Sequence, residues 1–239
     1  PSKPSNSCSR QMIEDGGIVT SITGLLDSIS TVGPCWFRGH SQAHWDPVPG
    51  LLRPFRDPLQ AILQEDLRRL ERLTNHRLSL HGSRFRLAVI GDDDVDLYIR
   101  AQHGGLPTRL LDWSENPLAA AFFAVEDDPP IDAALFRLSI PQPAPKDERS
   151  YEFKRLVSAL MDSDPDRPAT GTIAEIESLS PRAPMLITPF VREGRIDQQS
   201  ARFTFHYNLD DWSSVNITKF LIPATAKPAI EFQLQRLNV

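Results

Sequence analysis

Arg38 lies in the stretch Cys35-Trp36-Phe37-Arg38-Gly39, which is aromatic and β-prone up to its glycine and so predicts a strand ending at Gly39. An arginine there presents a fixed planar guanidinium to a phosphate or carboxylate, and the glycine lets a ligand approach the backbone. The alternative is an arginine held in a structural salt bridge. A second stretch runs from Gln102 to Ser114 as QHGGLPTRLLDWS. It interleaves polar and apolar residues and ends where a helix is predicted to begin, so Asn116 and the amides behind it could hold an anion. Within it, Asp112 could pair with Arg109 or Arg38 as a buried ion pair, or serve a ligand. The third stretch, Arg195 to Thr204, carries the tandem amides Gln198 and Gln199 ahead of a predicted strand. Amides both donate and accept, which suits a sugar hydroxyl or a carboxamide; capping a sheet edge is the other use.

None of the common catalytic signatures occurs: no GxGxxG, GxxxxGK[ST], GxSxG, HExxH or CxxC. His40 and His44 are four residues apart in a proline-rich loop with no cysteine nearby, and no metal is expected there. Cys8 and Cys35 make neither a disulfide framework nor a cluster, and they fit a reduced, cytoplasmic setting. No apolar run approaches the ~20 residues of a membrane-spanning helix, so no membrane partner is expected. With 26 basic and 31 acidic residues the chain carries a net charge of -5, which disfavours a general nucleic-acid coat but allows a local basic cleft. Residues 53–86 are such a locality, with eight arginines against four acids; a solvated face is the plainer reading and an anion-binding wall the sharper one.

These residues must be carried by short elements, because 21 prolines interrupt the 239-residue chain often. Residues 1–17 read as a flexible tail and 18–30 as a short helix. Asp57 and Pro58 cap and open a helix in which Leu59, Ile62, Leu63, Leu67, Leu70 and Leu73 recur at helical spacing. Helices are predicted at 92–105, 116–127, 151–161 and 227–237, with Asn116 and Pro117 starting the second. Strands are predicted at 106–114, 133–140, 185–191, 200–206 and 217–223. Helices come early and strands late, which argues for an α+β fold rather than a doubly wound parallel sheet.

Taken together, Phe37-Arg38-Gly39, Trp45, the block 102–114, Asn116-Pro117-Leu118-Ala119, Phe123-Ala124 and the late set Arg195, Ile196, Gln199 and Phe203-Thr204 resemble the FRG domain. This bacterial and phage-associated family is named for its Phe-Arg-Gly motif. The resemblance spans about 35–237, and Ala201 stands where glycine is usual. It implies a single domain over 18–239 with a helical insertion at about 55–103. The implied layout is similar to an ADP-ribosyltransferase fold: mixed, mainly antiparallel small sheets flanked by helices, with NAD as substrate in a cleft between two sheets. On that likeness Arg38 holds a phosphate or ribose hydroxyl, and the Gly39 backbone holds the nicotinamide carboxamide. Thr108, Arg109 and Ser114 join them in binding. Asp112 and Gln199 face the charge developing on the ribose, and His103 acts as base. Gln199 stands where such enzymes often carry glutamate. The implied function is an ADP-ribosyltransferase or NAD glycohydrolase acting as a toxin or phage-defence effector on a protein or nucleic-acid acceptor. The alternatives are a non-catalytic nucleotide-sensing or partner-binding module, and a nucleic-acid enzyme using 53–86 as a phosphate wall.

Overall fold

The computed structural model describes residues 13–30, 32–56, 64–82, 94–127, 130–141, 148–162, 184–188, 201–207 and 215–239. The strands are β1 Glu14–Ile18, β2 Cys35–His40, β3 Leu110–Ser114, β4 Ala133–Ser139, β5 Met185–Ile187, β6 Ala201–Phe205 and β7 Ile217–Ile222. The helices are α1 Ile22–Ile29, α2 Gln64–Gly82, α3 Asp94–His103, α4 Pro117–Val125, α5 Glu148–Met161 and α6 Lys227–Arg236. The fold is α+β, and the strands form one sheet in the order β1-β7-β4-β2-β3-β6-β5. Among the described strands only β1 and β7 run parallel; the other neighbours are antiparallel.

This corrects the expectation of separate small sheets. All of β2 pairs with β4, and all of β3 pairs with β6. Between β2 and β3 the register consists of the single pair Phe37–Ser114. That pair makes the sheet continuous, while on its Arg38 side the two strands carry no further ladder pair. The sheet is thus two well-laddered halves joined at a narrow seam.

Side-chain alternation along the strands puts Phe37, Leu110, Phe203 and Phe205 on one face. Helices α1, α4 and α6 cover that face over the first half, burying Leu25, Phe37, Ala121, Leu135, Ile222 and Leu234. Over the second half α3 and α5 bury Tyr98, Ile99, Leu156, Leu110, Phe203 and Phe205. Trp36, Leu111, Trp113, Phe136 and Leu138 form the cluster of the opposite face. Each buried leucine, isoleucine or phenylalanine among them contributes roughly 1.5–3 kcal/mol by leaving water.

Two helix ends set the seam. Asn116 caps α4 by accepting from Leu118 N at 2.9 Å, with Pro117 in the first turn. Helix α3 stops where Gly105 takes φ +84 and Leu106 N returns to Ala101 O at 2.9 Å, which turns the chain toward β3. Strand β1 falls inside the expected tail. Its sequence EDGGI lacks apolar alternation, and the edge of β7 holds it through the main chain instead. The expected helix start at Asp57 and Pro58, and the strand residues 189–191, lie outside the described residues, as does Gln199.

Candidate functional site

The Phe-Arg-Gly motif divides its three residues among three tasks. Phe37 is buried against α4 in the helix-covered core. Arg38 points to the opposite face and is half-buried, with 17% of its side chain exposed. Gly39 lies directly under α4. A Cβ built there would stand 1.9 Å from Ala120 O and 2.6 Å from Ala124 N, so the space freed by the missing side chain is filled by helix backbone. The ligand approach expected on that side of Gly39 is closed, and the glycine is explained by helix packing.

Arg38 bridges the seam. Its Nη1 donates to the main-chain carbonyl of Asp112 at 2.7 Å and stands 3.9 Å from Asp112 Oδ2. Its Nε donates to His40 Nε2 at 2.8 Å. Neither Arg38 Nη2 nor Asp112 Oδ1 has a hydrogen-bond partner among the described residues, and the Asp112 side chain is 42% exposed. Arg38 and Asp112 thus meet where β2 and β3 part. Burial pushes the Arg38 pKa below the ordinary arginine value, Asp112 opposes this, and the nearby Arg53 adds to it. Arg53 itself is exposed, its Nε held by Val48 O at 3.2 Å.

Asp112 is oriented from behind. Gln102, on the last turn of α3, donates from Nε2 to Asp112 Oδ2 at 2.8 Å. The Gln102 amide is in turn fixed by Thr108, whose hydroxyl donates to Oε1 while accepting from Leu110 N at 3.1 Å. The hydroxyl thus settles which end of the amide faces the carboxylate. Thr108 is buried and contributes through Gln102. Ser114, also buried, accepts from Asn116 N at 3.0 Å and shapes the entry to α4.

Arg109 turns away from this group. It is 4% exposed and makes a two-pronged ion pair with Glu71 of α2, while Nη1 donates to Tyr207 O at 2.6 Å. The arginine fixes α2 against the sheet. Trp113 donates to Thr204 Oγ1 at 3.0 Å, and Thr204 Oγ1 lies 2.9 Å from His206 Nε2. His103 is exposed, and its ring stands 5.8 Å from that of Phe203, the ladder partner of Asp112.

The structure brings Arg38 and Asp112 together at the seam, while the ring of His103 lies beside Phe203 of β6, on the far side of β3. It places Thr108, Arg109, Ser114 and Gly39 in supporting contacts. Two residues at the seam were not singled out as site residues from sequence: Gln102, which lay inside the noted block, and His40, which was weighed only as a metal ligand.

No curated protein and no solved structure matches the chain. A family model described as FRG domain matches residues 33–133, a span that contains β2, α3, β3 and α4. Arg38, His40, Gln102, Thr108 and Asp112 all fall within it, and over residues 33–133 the chain is similar to the FRG domain family.

Proposed function

We propose that the seam between β2 and β3 takes an anionic nucleotide and that its substrate is NAD, cleaved by an ADP-ribosyltransferase or NAD glycohydrolase activity of the toxin or phage-defence kind. The observation that carries this reading is the 3.9 Å approach of Arg38 Nη1 to Asp112 Oδ2, with Arg38 Nη2 and Asp112 Oδ1 left without a hydrogen-bond partner among the described residues. The guanidinium edge suits a phosphate oxygen, and Arg53 adds positive charge beside it. Asp112 faces the positive charge that develops on the ribose as the C1′–nitrogen bond breaks and its electron pair leaves with nicotinamide. His103 takes the proton released when a water or acceptor hydroxyl bonds to C1′. Gln102 and Thr108 hold Asp112 in place, while Gly39, Arg109 and Ser114 build the walls rather than touch the ligand.

The test incubates the protein with NAD labelled in its adenine ring, with and without cell extract, and follows nicotinamide release and label transfer. Release that falls in both Arg38→Lys and Asp112→Asn supports the reading. Binding of NAD without release identifies the non-catalytic module instead, and absence of both binding and release rejects the proposal. The nucleic-acid reading draws on the exposure of Arg53, Arg69 and Arg77. A steep salt dependence of RNA or DNA binding identifies it.

A further inference from the structure

His40 closes β2 and is 7% exposed. Both of its ring nitrogens are engaged. Nε2 lies 2.8 Å from Arg38 Nε, which carries a hydrogen in every protonation state of the guanidinium that matters here, so Nε2 is the acceptor. Nδ1 lies 3.2 Å from the carbonyl of Trp45, which can only accept, so Nδ1 carries the proton. The two contacts together admit one tautomer. The ring is further wedged edge-on against Phe136 at 5.1 Å and Trp45 at 6.2 Å. Arg38 is thereby held at two corners of its guanidinium plane: Nε on His40 and Nη1 on Asp112 O. Two fixed corners set the orientation of a rigid plane about its long axis and leave the third corner, Nη2, without a hydrogen-bond partner among the described residues.

We propose that His40 is a positioning residue: fixed as the neutral Nδ1–H tautomer by the Trp45 carbonyl, it holds the Arg38 guanidinium so that the Nη2 edge faces the ligand. The proposal deepens the reading of the seam as an anion site and rests on it. Burial and the positive charges of Arg38, Arg53 and Lys219 push the His40 pKa down to about 3, which keeps the ring an acceptor throughout the physiological range. The loop that supplies Trp45 O is itself tied to the sheet, because Lys219 Nζ donates to Ala43 O at 2.6 Å and Ala43 N donates to Asp132 O at 2.6 Å. The acceptor for Arg38 is therefore braced from β7 and from the chain ahead of β4.

Two replacements separate positioning from folding. His40→Gln can place an amide oxygen near the position of Nε2 and keep the acceptor for Arg38. His40→Asn places its amide near Nδ1, keeping the anchor to Trp45 but removing that acceptor. With NAD as the probe, His40→Asn is expected to bind roughly tenfold more weakly. His40→Gln should stay within about threefold of the unmodified protein, and the two variants should melt close together. Equal weakening in both, or weakening that follows melting temperature alone, overturns the proposal. A ligand-free measurement keeps it falsifiable should Asn simply fail to fold. In 15N spectra of the unmodified protein, His40 must show a protonated Nδ1 and an unprotonated Nε2 that do not titrate between pH 5 and 8, with a slowly exchanging Arg38 Nε–H. The opposite tautomer, or titration in that range, also overturns it. Failure of the unmodified protein to bind NAD would count against the ligand reading alone, since the nitrogen spectra would still judge the His40–Arg38 contact.

Discussion

Arg38 reaches Asp112 chiefly through the main-chain carbonyl, at 2.7 Å, and only secondarily through the carboxylate, at 3.9 Å. This geometry decides what each replacement removes. Asp112→Asn keeps the carbonyl and discards a charge that is 42% exposed, and exposed pairs are worth little. Its unfolding free energy should fall by about 1 kcal/mol or less, while NAD cleavage should fall on the order of a hundredfold or more if the carboxylate faces the reacting ribose. Urea unfolding and nicotinamide release on one preparation check both; a large stability loss with unchanged turnover would show Asp112 to be structural. Arg38→Ala discards two hydrogen bonds and strips the seam of its bridge. It should cost about 2–3 kcal/mol as well as ligand binding, so melting temperature and affinity should drop together in that variant. A salt bridge and a ligand contact were both open readings of Arg38 from sequence. The residue bridges the strands through Nη1, is held on its own strand by His40 through Nε, and has no partner at Nη2 among the described residues.

Helix α4 can approach β2 only because position 39 has no side chain and because α4 presents alanines there. In Gly39→Ala the methyl would sit 1.9 Å from Ala120 O and 2.6 Å from Ala124 N, both of them backbone atoms that no rotamer change can move. The strand or the helix must shift, and the cost should be about 3 kcal/mol or more. A Gly39→Ala protein that melts within a few degrees of the unmodified one would mean that α4 rides more loosely than described. Helix α2 makes the complementary case. Glu71→Ala leaves Arg109 charged at 4% exposure with Tyr207 O as a remaining acceptor, and a loss of about 3–5 kcal/mol is expected. Replacing both partners with apolar residues of similar size should recover most of it; no recovery in the double variant would contradict a desolvation origin. The elements themselves were legible where local signals were strong: Asn116-Pro117 starting α4, glycine ending α3, and aromatic or β-branched runs in β2, β6 and β7. What was not legible depends on distance along the chain. Glu71 lies 38 residues from Arg109, and nothing near either one names the other. The glycine of the motif was read as room for a ligand because the helix that fills the room is encoded some 80 residues later. Strand β1 escaped notice because an edge strand held by main-chain pairing needs no apolar alternation.

Among the described residues two histidines are buried and held neutral, one in each half of the sheet. His40 sits beside Arg38 in the first half, and His206, 1% exposed, sits beside Thr204 and Arg109 in the second. Burial, reinforced by the neighbouring cations, pushes both down to about 3 from an ordinary value near 6.5. In the unfolded chain each histidine gains a proton as pH falls through about 6.5, while in the folded protein neither does until about 3. Over that interval the unfolded state binds more protons, so stability must rise with pH and drain away on acidification. Two such groups give a limiting slope of about 2.7 kcal/mol per pH unit, and groups that titrate alike in both states cancel. The range from pH 6 down to 5 isolates the effect, since it lies above the ordinary titration of most carboxylates. Unfolding free energies from urea titrations at half-unit steps should therefore fall steadily across it. His206→Gln, which removes one titrating group without touching the seam, should roughly halve the slope even if it lowers stability everywhere. A profile flat between pH 6.5 and 5, or a slope that His206→Gln leaves unchanged, would mean that the folded protein accepts protons at these histidines and that one of the two sheet faces is open to water.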